Sequence, residues 1–100
     1  MKTTFTNDNG NFVMQFEGRL DTSASFQVER DMKVLYDCDG HDITLDCTQL
    51  EYISSSGLRL FLSVLKNAKA RGSHVCIVGL SDTIKQVFDE IGFTCLFDIR

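Results

Sequence analysis

The sequence contains no proline. No Gly/Ser-rich or low-complexity stretch interrupts it and no segment repeats, so nothing within its 100 residues marks a linker or a second unit. It has no uninterrupted apolar run near the ~18 to 20 residues a membrane span requires. Its first residues, Met1-Lys2-Thr3-Thr4-Phe5-Thr6-Asn7-Asp8, carry no apolar signal-peptide core. These absences lead us to expect one cytoplasmic domain over residues 1–100 with no direct membrane insertion. Basic residues are few: 10 Lys and Arg stand against 14 Asp and Glu, a net charge of -4. A nucleic-acid surface needs the opposite balance, whereas an acidic surface suits a protein that meets other proteins and suits many other roles equally well. The four cysteines, Cys38, Cys47, Cys76 and Cys95, form no CxxC and have no His at ligand spacing, so no metal or other cofactor is expected. Three of them fall in predicted strands among apolar neighbours, which reads as buried thiols acting as small hydrophobes. His41 and His74 each stand at or just before a strand and read as edge residues.

What the sequence does have is a regular alternation of strand and helix patterns. Thr3 to Asn7 is a short first strand, Asn9-Gly10-Asn11 a turn signal, and Phe12 to Gly18 a second strand with Phe12, Met14 and Phe16 on one face. The first helix follows, capped by Asp21 or Thr22, with Ala24, Val28, Met32 and Leu35 as its stripe and Tyr36 widening it. Phe26 lies off that stripe, as a satellite core residue or as a partner contact. Gly40 is available to end the segment.

Ile43 to Cys47 alternates as a buried strand, and a short loop leads to Ser54-Ser55-Ser56-Gly57 and a helix with Leu58, Phe61, Leu62 and Leu65 at helical spacing. Gly72 stops that helix. His74 to Gly79 is nearly all apolar, which suggests a strand covered by helices on both faces. Ser81 caps a last helix with Ile84, Val87, Phe88 and Ile91 at helical spacing and Gly92 as its stop. Cys95 to Ile99 reads as an edge strand. The fold class is α/β: a mixed sheet of about five strands in the order β-β-α-β-α-β-α-β, with helices packed on it. Val75, Ile77, Ile43, Leu45, Leu62, Leu65, Ile84 and Phe88 are the expected core. In such sheets functional loops lie at the carboxyl ends of the strands, and the serine run is at one of them.

The chemistry available at that run is limited. The serines have no base in a motif beside them. No glycine precedes them to make a G-x-S-x-G elbow, and neither G-x-G-x-x-G nor a P-loop occurs, so an enzyme is the least favoured class. One serine suffices to cap a helix. A further hydroxyl at a helix N-terminus is accessible to a kinase, and a phosphate there meets the positive end of the helix dipole. Serine-rich helix starts are common, so the motif alone is better explained by a plain cap with serine neighbours.

Three segments together resemble the STAS domain family, and within it the small single-domain anti-sigma factor antagonists. Glu17-Gly18-Arg19-Leu20-Asp21 is similar to the family's G-E-L-D segment. Ile43 to Ile53 is similar to the strand and loop before its key motif, and Ser54-Ser55-Ser56-Gly57-Leu58 resembles its D-S-S-G-L signature. Phe88-Asp89-Glu90-Ile91-Gly92-Phe93 also follows a family pattern. The resemblance implies a transcription regulator that binds an anti-sigma factor serine kinase, is released when that kinase phosphorylates it, and is restored by a phosphatase. It implies Ser55 as the phosphorylated residue and Asp21, Thr22, Ser54, Ser56, Gly57 and Leu58 as the partner-binding set. The main departure is Ser54, where the family has aspartate. The sequence stops soon after the final strand, so the family's last helix is expected to be missing, which would either weaken the sheet's cover or expose a surface for a homodimer. The alternative role within the family is a non-phosphorylated interaction subunit of a stress-signalling scaffold or of a lipid-transporting ABC system.

Overall fold

The computed structural model describes residues 1–100. It contains strands β1 (Lys2–Asp8), β2 (Asn11–Leu20), β3 (Ile43–Ile53), β4 (Val75–Val78) and β5 (Asp98–Ile99). Helices are α1 (Thr22–Asp31), α2 (Lys33–Tyr36), α3 (Ser55–Ala70) and α4 (Asp82–Glu90), with a single 3₁₀ turn at Phe93–Cys95. The strands form one five-stranded sheet in sequential order, β1-β2-β3-β4-β5. β1 runs antiparallel to β2, and every later pairing is parallel. The expected mixed α/β sheet is present. No helix is long and apolar enough to cross a membrane.

The hairpin forms where Asn9-Gly10 predicts it. Both residues have positive φ, +51° and +90°, the pairing a two-residue turn between right-twisted strands requires. Asp21, rather than Thr22, caps α1 by accepting the Ala24 N–H at 2.8 Å. The predicted first helix is divided at Met32. Its stripe shortens there from a four-residue to a three-residue step, and the Leu35 N–H bonds the Met32 carbonyl at 2.9 Å. That tightening keeps both Met32 and Leu35 buried. Ser81 caps α4 through the Ile84 N–H at 3.3 Å.

Four expectations need correction. β3 does not end at Cys47 but continues to Ile53, so the expected loop is strand. Two register shifts against β2, between Gln15 and Glu17 and between Gly18 and Arg19, break the two-residue alternation. Beyond Cys47 only Leu50 and Ile53 point inward. A three-residue spacing of buried side chains does not read as a strand, yet bulges produce one.

The helices cover one face of the sheet, not both. Phe12, Met14 and Phe16 of β2, Ile43, Leu45 and Cys47 of β3, and Val75 and Ile77 of β4 join the apolar stripes of every α-helix in a single core. Cys76 is buried but stands outside that core, on the opposite face, with its thiol 3.5 Å from the Thr44 hydroxyl. Leu62 is only half-buried, because α3 turns Leu58, Phe61, Val64, Leu65 and Ala68 inward. The other expected core residues are buried.

Finally, Cys95 lies in the 3₁₀ turn and is exposed, and β5 is confined to Asp98–Ile99. Phe93 and Phe97 pack on Phe88 at ring separations of 5.9 and 6.2 Å, so aromatic packing draws this segment off the sheet edge. Cys38, Cys47 and Cys76 are buried and unpaired. Burial, with the Asp46 carboxylate next to it, pushes the Cys47 thiol pKa far up, so it stays protonated.

Candidate functional site

The carboxyl ends of β2 and β3 lie side by side. Leu20 pairs with Ile53, the last residue of each strand, and the Ser54 N–H donates to the Leu20 carbonyl at 2.8 Å. Two helix starts are thereby held next to each other: Asp21 leading into α1 and Ser54 leading into α3. Asp21 is half-buried and occupied by its cap bond. The Ser25 hydroxyl donates to the Thr22 carbonyl at 2.6 Å, which ties down the first turn of α1.

The three serines have three different environments. Ser54 is buried, and its hydroxyl oxygen accepts the Gly57 N–H at 3.2 Å. It does the capping work that an aspartate would do at the same place, so the departure at Ser54 leaves the local geometry intact. Ser55 is the first helical residue, exposed, and its hydroxyl makes no hydrogen bond. Ser56 is half-buried and faces α1. Gly57 is an approach point: a Cβ there would lie 2.7 Å from Leu20 Cγ and 2.9 Å from Ile53 Cγ1. Gly57 and Leu58 are buried, so of the residues implied by resemblance Thr22, Ser55 and Ser56 reach the surface, while Ser54, Gly57 and Leu58 shape it from below.

Between α1 and α3 the surface forms a cleft of about 280 Å³, lined by Thr22, Ser25, Phe26, Glu29, Ser56, Arg59 and Leu60. Phe26 is 67% exposed on its rim, which favours the partner-contact reading over a satellite core. Sequence reasoning missed Glu29, Arg59 and Leu60. The signal was present in the spacing: 22, 26 and 29 on one helix and 56, 59 and 60 on the other are the surface rows that flank the two caps. Arg59 stands one helical turn after Ser55 and is exposed. On the open side of the same strand ends, the Arg19 guanidinium lies over the Tyr52 ring at 4.4 Å from its centroid.

A second cleft, of about 240 Å³, opens where β2 and β3 shift register, between Gln15, Glu17, Asp46, Thr48 and Gln49. Partial burial raises the Asp46 pKa, but the Thr48 hydroxyl, the Thr48 N–H and the Gln15 amide outweigh it and hold the carboxyl below its usual range. No group of three or more His, Cys, Asp or Glu side chains converges anywhere to hold a metal ion.

The STAS domain profile matches residues 2–100. Among curated proteins, a candidate anti-sigma factor antagonist, BtrV, of Bordetella bronchiseptica is 27% identical over 99 residues, covering 99% of this chain and 85% of that protein. The anti-sigma-B factor antagonist of Listeria monocytogenes is 26% identical over 83 residues, covering 83% of this chain and 73% of its own length. Among solved structures, the Bacillus cell fate determinant SpoIIAA in its phosphorylated form superposes with a TM-score of 0.75 at 19% identity, covering 99% of this chain and 91% of that one. SpoIIAA, an anti-sigma factor antagonist, is also known in its unphosphorylated form, with a TM-score of 0.72 at 20% identity over 88% of this chain and 82% of that one.

Proposed function

The chain belongs to the STAS domain family, and from that premise we propose that it is an anti-sigma factor antagonist switched by phosphorylation of Ser55. The observation that carries this reading is the free, exposed Ser55 hydroxyl at the start of α3, beside the α1–α3 cleft with Phe26 on its rim. The relatives' roles support it, as does the existence of SpoIIAA in two phosphorylation states. The partner is an anti-sigma factor with serine kinase activity, a phosphatase reverses the modification, and the site of action is the cytoplasm. The chain acts by binding rather than by catalysis.

The physical account of the switch is local. A phosphate on Ser55 brings about -1.5 to -2 charges to a helix N-terminus with unpaired N–H groups. The dipole stabilises it by roughly 0.3 to 1 kcal/mol, so the fold tolerates the modification. A partner seated over the cleft meets an unpaired anion at a desolvated surface, at a cost of several kcal/mol. Ser54 is a poorer acceptor because its hydroxyl is buried and already bonded to Gly57.

The test is to incubate the protein with an anti-sigma factor kinase encoded next to its gene and ATP, and to map the phosphate on the unmodified chain and on Ser54→Ala, Ser55→Ala and Ser56→Ala. Only Ser55→Ala should lose the modification, and Ser55→Asp should lose partner binding while melting near the unmodified protein. If Ser55→Ala is phosphorylated at the normal rate, the acceptor is wrongly assigned. If no serine is modified and Ser55→Asp binds normally, the chain is a STAS interaction subunit that works without the switch.

A further inference from the structure

β1 is an edge strand: it pairs with β2 alone, and its other side has no strand beside it. The Asn9-Gly10 turn sets Asp8 opposite Asn11. A turn of this kind is closed by a hydrogen bond between its first and last residues, so Asp8 and Asn11 form a hydrogen-bonded pair. Hydrogen-bonded and non-bonded pairs alternate along an antiparallel ladder. Lys2, Thr4 and Thr6 therefore also turn their backbone groups toward β2, while Thr3, Phe5 and Asn7 turn theirs away from the sheet.

Proteins guard such edges with proline, bulges, interior charges or very short strands. β1 has none of these. It is 7 residues long, its register with β2 is unbroken, and Thr3-Thr4-Phe5-Thr6-Asn7 carries no charge and no proline. Its charges stand only at its ends and have opposite sign: Asp8, and Lys2, whose ammonium lies 3.9 Å from Glu17 on β2. Phe5 is 37% exposed at its centre, edge-on to Phe12 at 5.2 Å.

This pattern is self-complementary in one register. With Phe5 on a twofold axis, a second antiparallel β1 puts Thr3 opposite Asn7 and Phe5 opposite Phe5, so that the outward backbone groups meet each other. The same register puts Lys2 of each copy opposite Asp8 of the other. A slip of one residue sets outward groups against inward ones, and a slip of two leaves a terminal charge facing threonine. We propose that the β1 edge is a homodimer interface, in which a second copy of this chain adds antiparallel about Phe5 to continue the sheet. Because the two β1 strands run antiparallel about the twofold axis, the two Ser55 rims then lie at opposite ends of the joined sheet, and both stay free. Such an isologous contact closes on itself as a dimer.

Sedimentation equilibrium of the full chain, with no partner protein present, tests this independently of the switch. A reversible monomer–dimer equilibrium is expected. Lys2→Glu and Asp8→Lys should each weaken it about ten-fold, because each puts like charges opposite one another at both ends of the junction. The double variant should restore it, with all variants compared in a Glu17→Gln background so that the Lys2–Glu17 pair within each copy does not contribute. Phe5→Pro removes an N–H that the monomer does not use and should leave only monomer. Circular dichroism of every variant separates loss of association from loss of fold, and if Phe5→Pro unfolds, the charge swap decides. A chain that stays monomeric at all concentrations overturns the proposal. So does a dimer that the single reversals leave unchanged or that the double variant fails to restore.

Discussion

On the helix side of the sheet, Phe12, Met14, Phe16, Ile43, Leu45, Val75 and Ile77 are sealed against α1, α3 and α4. On the other side, the intervening residues of the same strands are Val13, Gln15, Glu17, Thr44, Asp46, Cys76 and Val78, and most reach solvent. Neighbours in the chain thus experience different physics. A side chain on the first face contributes through packing, and a side chain on the second contributes through its hydrogen bonds to the next strand, as Asn11 does with Thr44 at 3.1 Å. The proposed binding surfaces lie at the rim and at the helix starts: the covered face has no room, and the open face has few apolar groups to bury.

The sharpest contrast should appear in thiol chemistry. Folded protein treated with a thiol reagent should label Cys95 quickly and Cys38 and Cys47 slower by about a thousand-fold or more, since those two wait for opening of the core. Cys76, shielded only by side chains on the open face, should fall between them. Equal rates for Cys76 and Cys47, read by mass spectrometry of quenched samples, would show that something covers the open face as well.

Stability should divide the same way. Phe61 is fully buried between Phe16 and Phe88, at ring separations of 5.1 and 6.3 Å, and Phe61→Ala should cost about 3 to 5 kcal/mol in urea unfolding. Gln15→Ala, on the open face, should stay within about 0.5 kcal/mol. Leu65→Ala on α3 belongs with Phe61, at about 2 to 5 kcal/mol.

A smaller loss is expected where the covered face meets the rim. Gly57→Ala forces a methyl against Leu20 and Ile53 and should destabilise by about 1 to 3 kcal/mol. Shortening the neighbour in a Gly57→Ala/Leu20→Val pair should recover part of that loss. An additive double variant would mean that the approach of α3 to β2 is looser than the contact implies.

The smallest effect concerns charge on the open face. Asp98 accepts from Arg100 at 2.8 Å and from His74 at 2.9 Å, and these bonds hold its carboxyl below the usual range. A depressed carboxylate stabilises the fold above its unfolded pKa of about 3.9, and that contribution disappears as pH falls through the lower folded value. Asp98→Asn should therefore melt slightly below the unmodified protein near neutral pH and converge with it in stronger acid. The group is solvent-facing, so salt should shrink the difference further.

Much of this was legible in the chain. Local rules sufficed for the Asn9-Gly10 hairpin, the cap at Ser81, the choice of Asp21 or Thr22 before α1, most of the helical stripes, and the place of the serine run at a strand end. Each depends on residues within a few positions of one another, and a motif of adjacent residues is enough to find the candidate acceptor Ser55. What the sequence by itself determined is therefore the strands and main helices, their order, and a run of three hydroxyls at a helix start, of which the family resemblance singles out Ser55. Only the tertiary structure decided that β3 runs on to Ile53, that a strand as apolar as β4 has helices on one side only, that Cys95 is exposed, and that Glu29, Arg59 and Leu60 meet across a cleft. Those outcomes depend on which distant segment lies alongside: a register shift against β2, the packing of Phe93 and Phe97 on Phe88, the approach of α1 to α3 over Gly57. Hydrophobic burial is non-directional, so an apolar pattern states that a residue will be covered and leaves open by what.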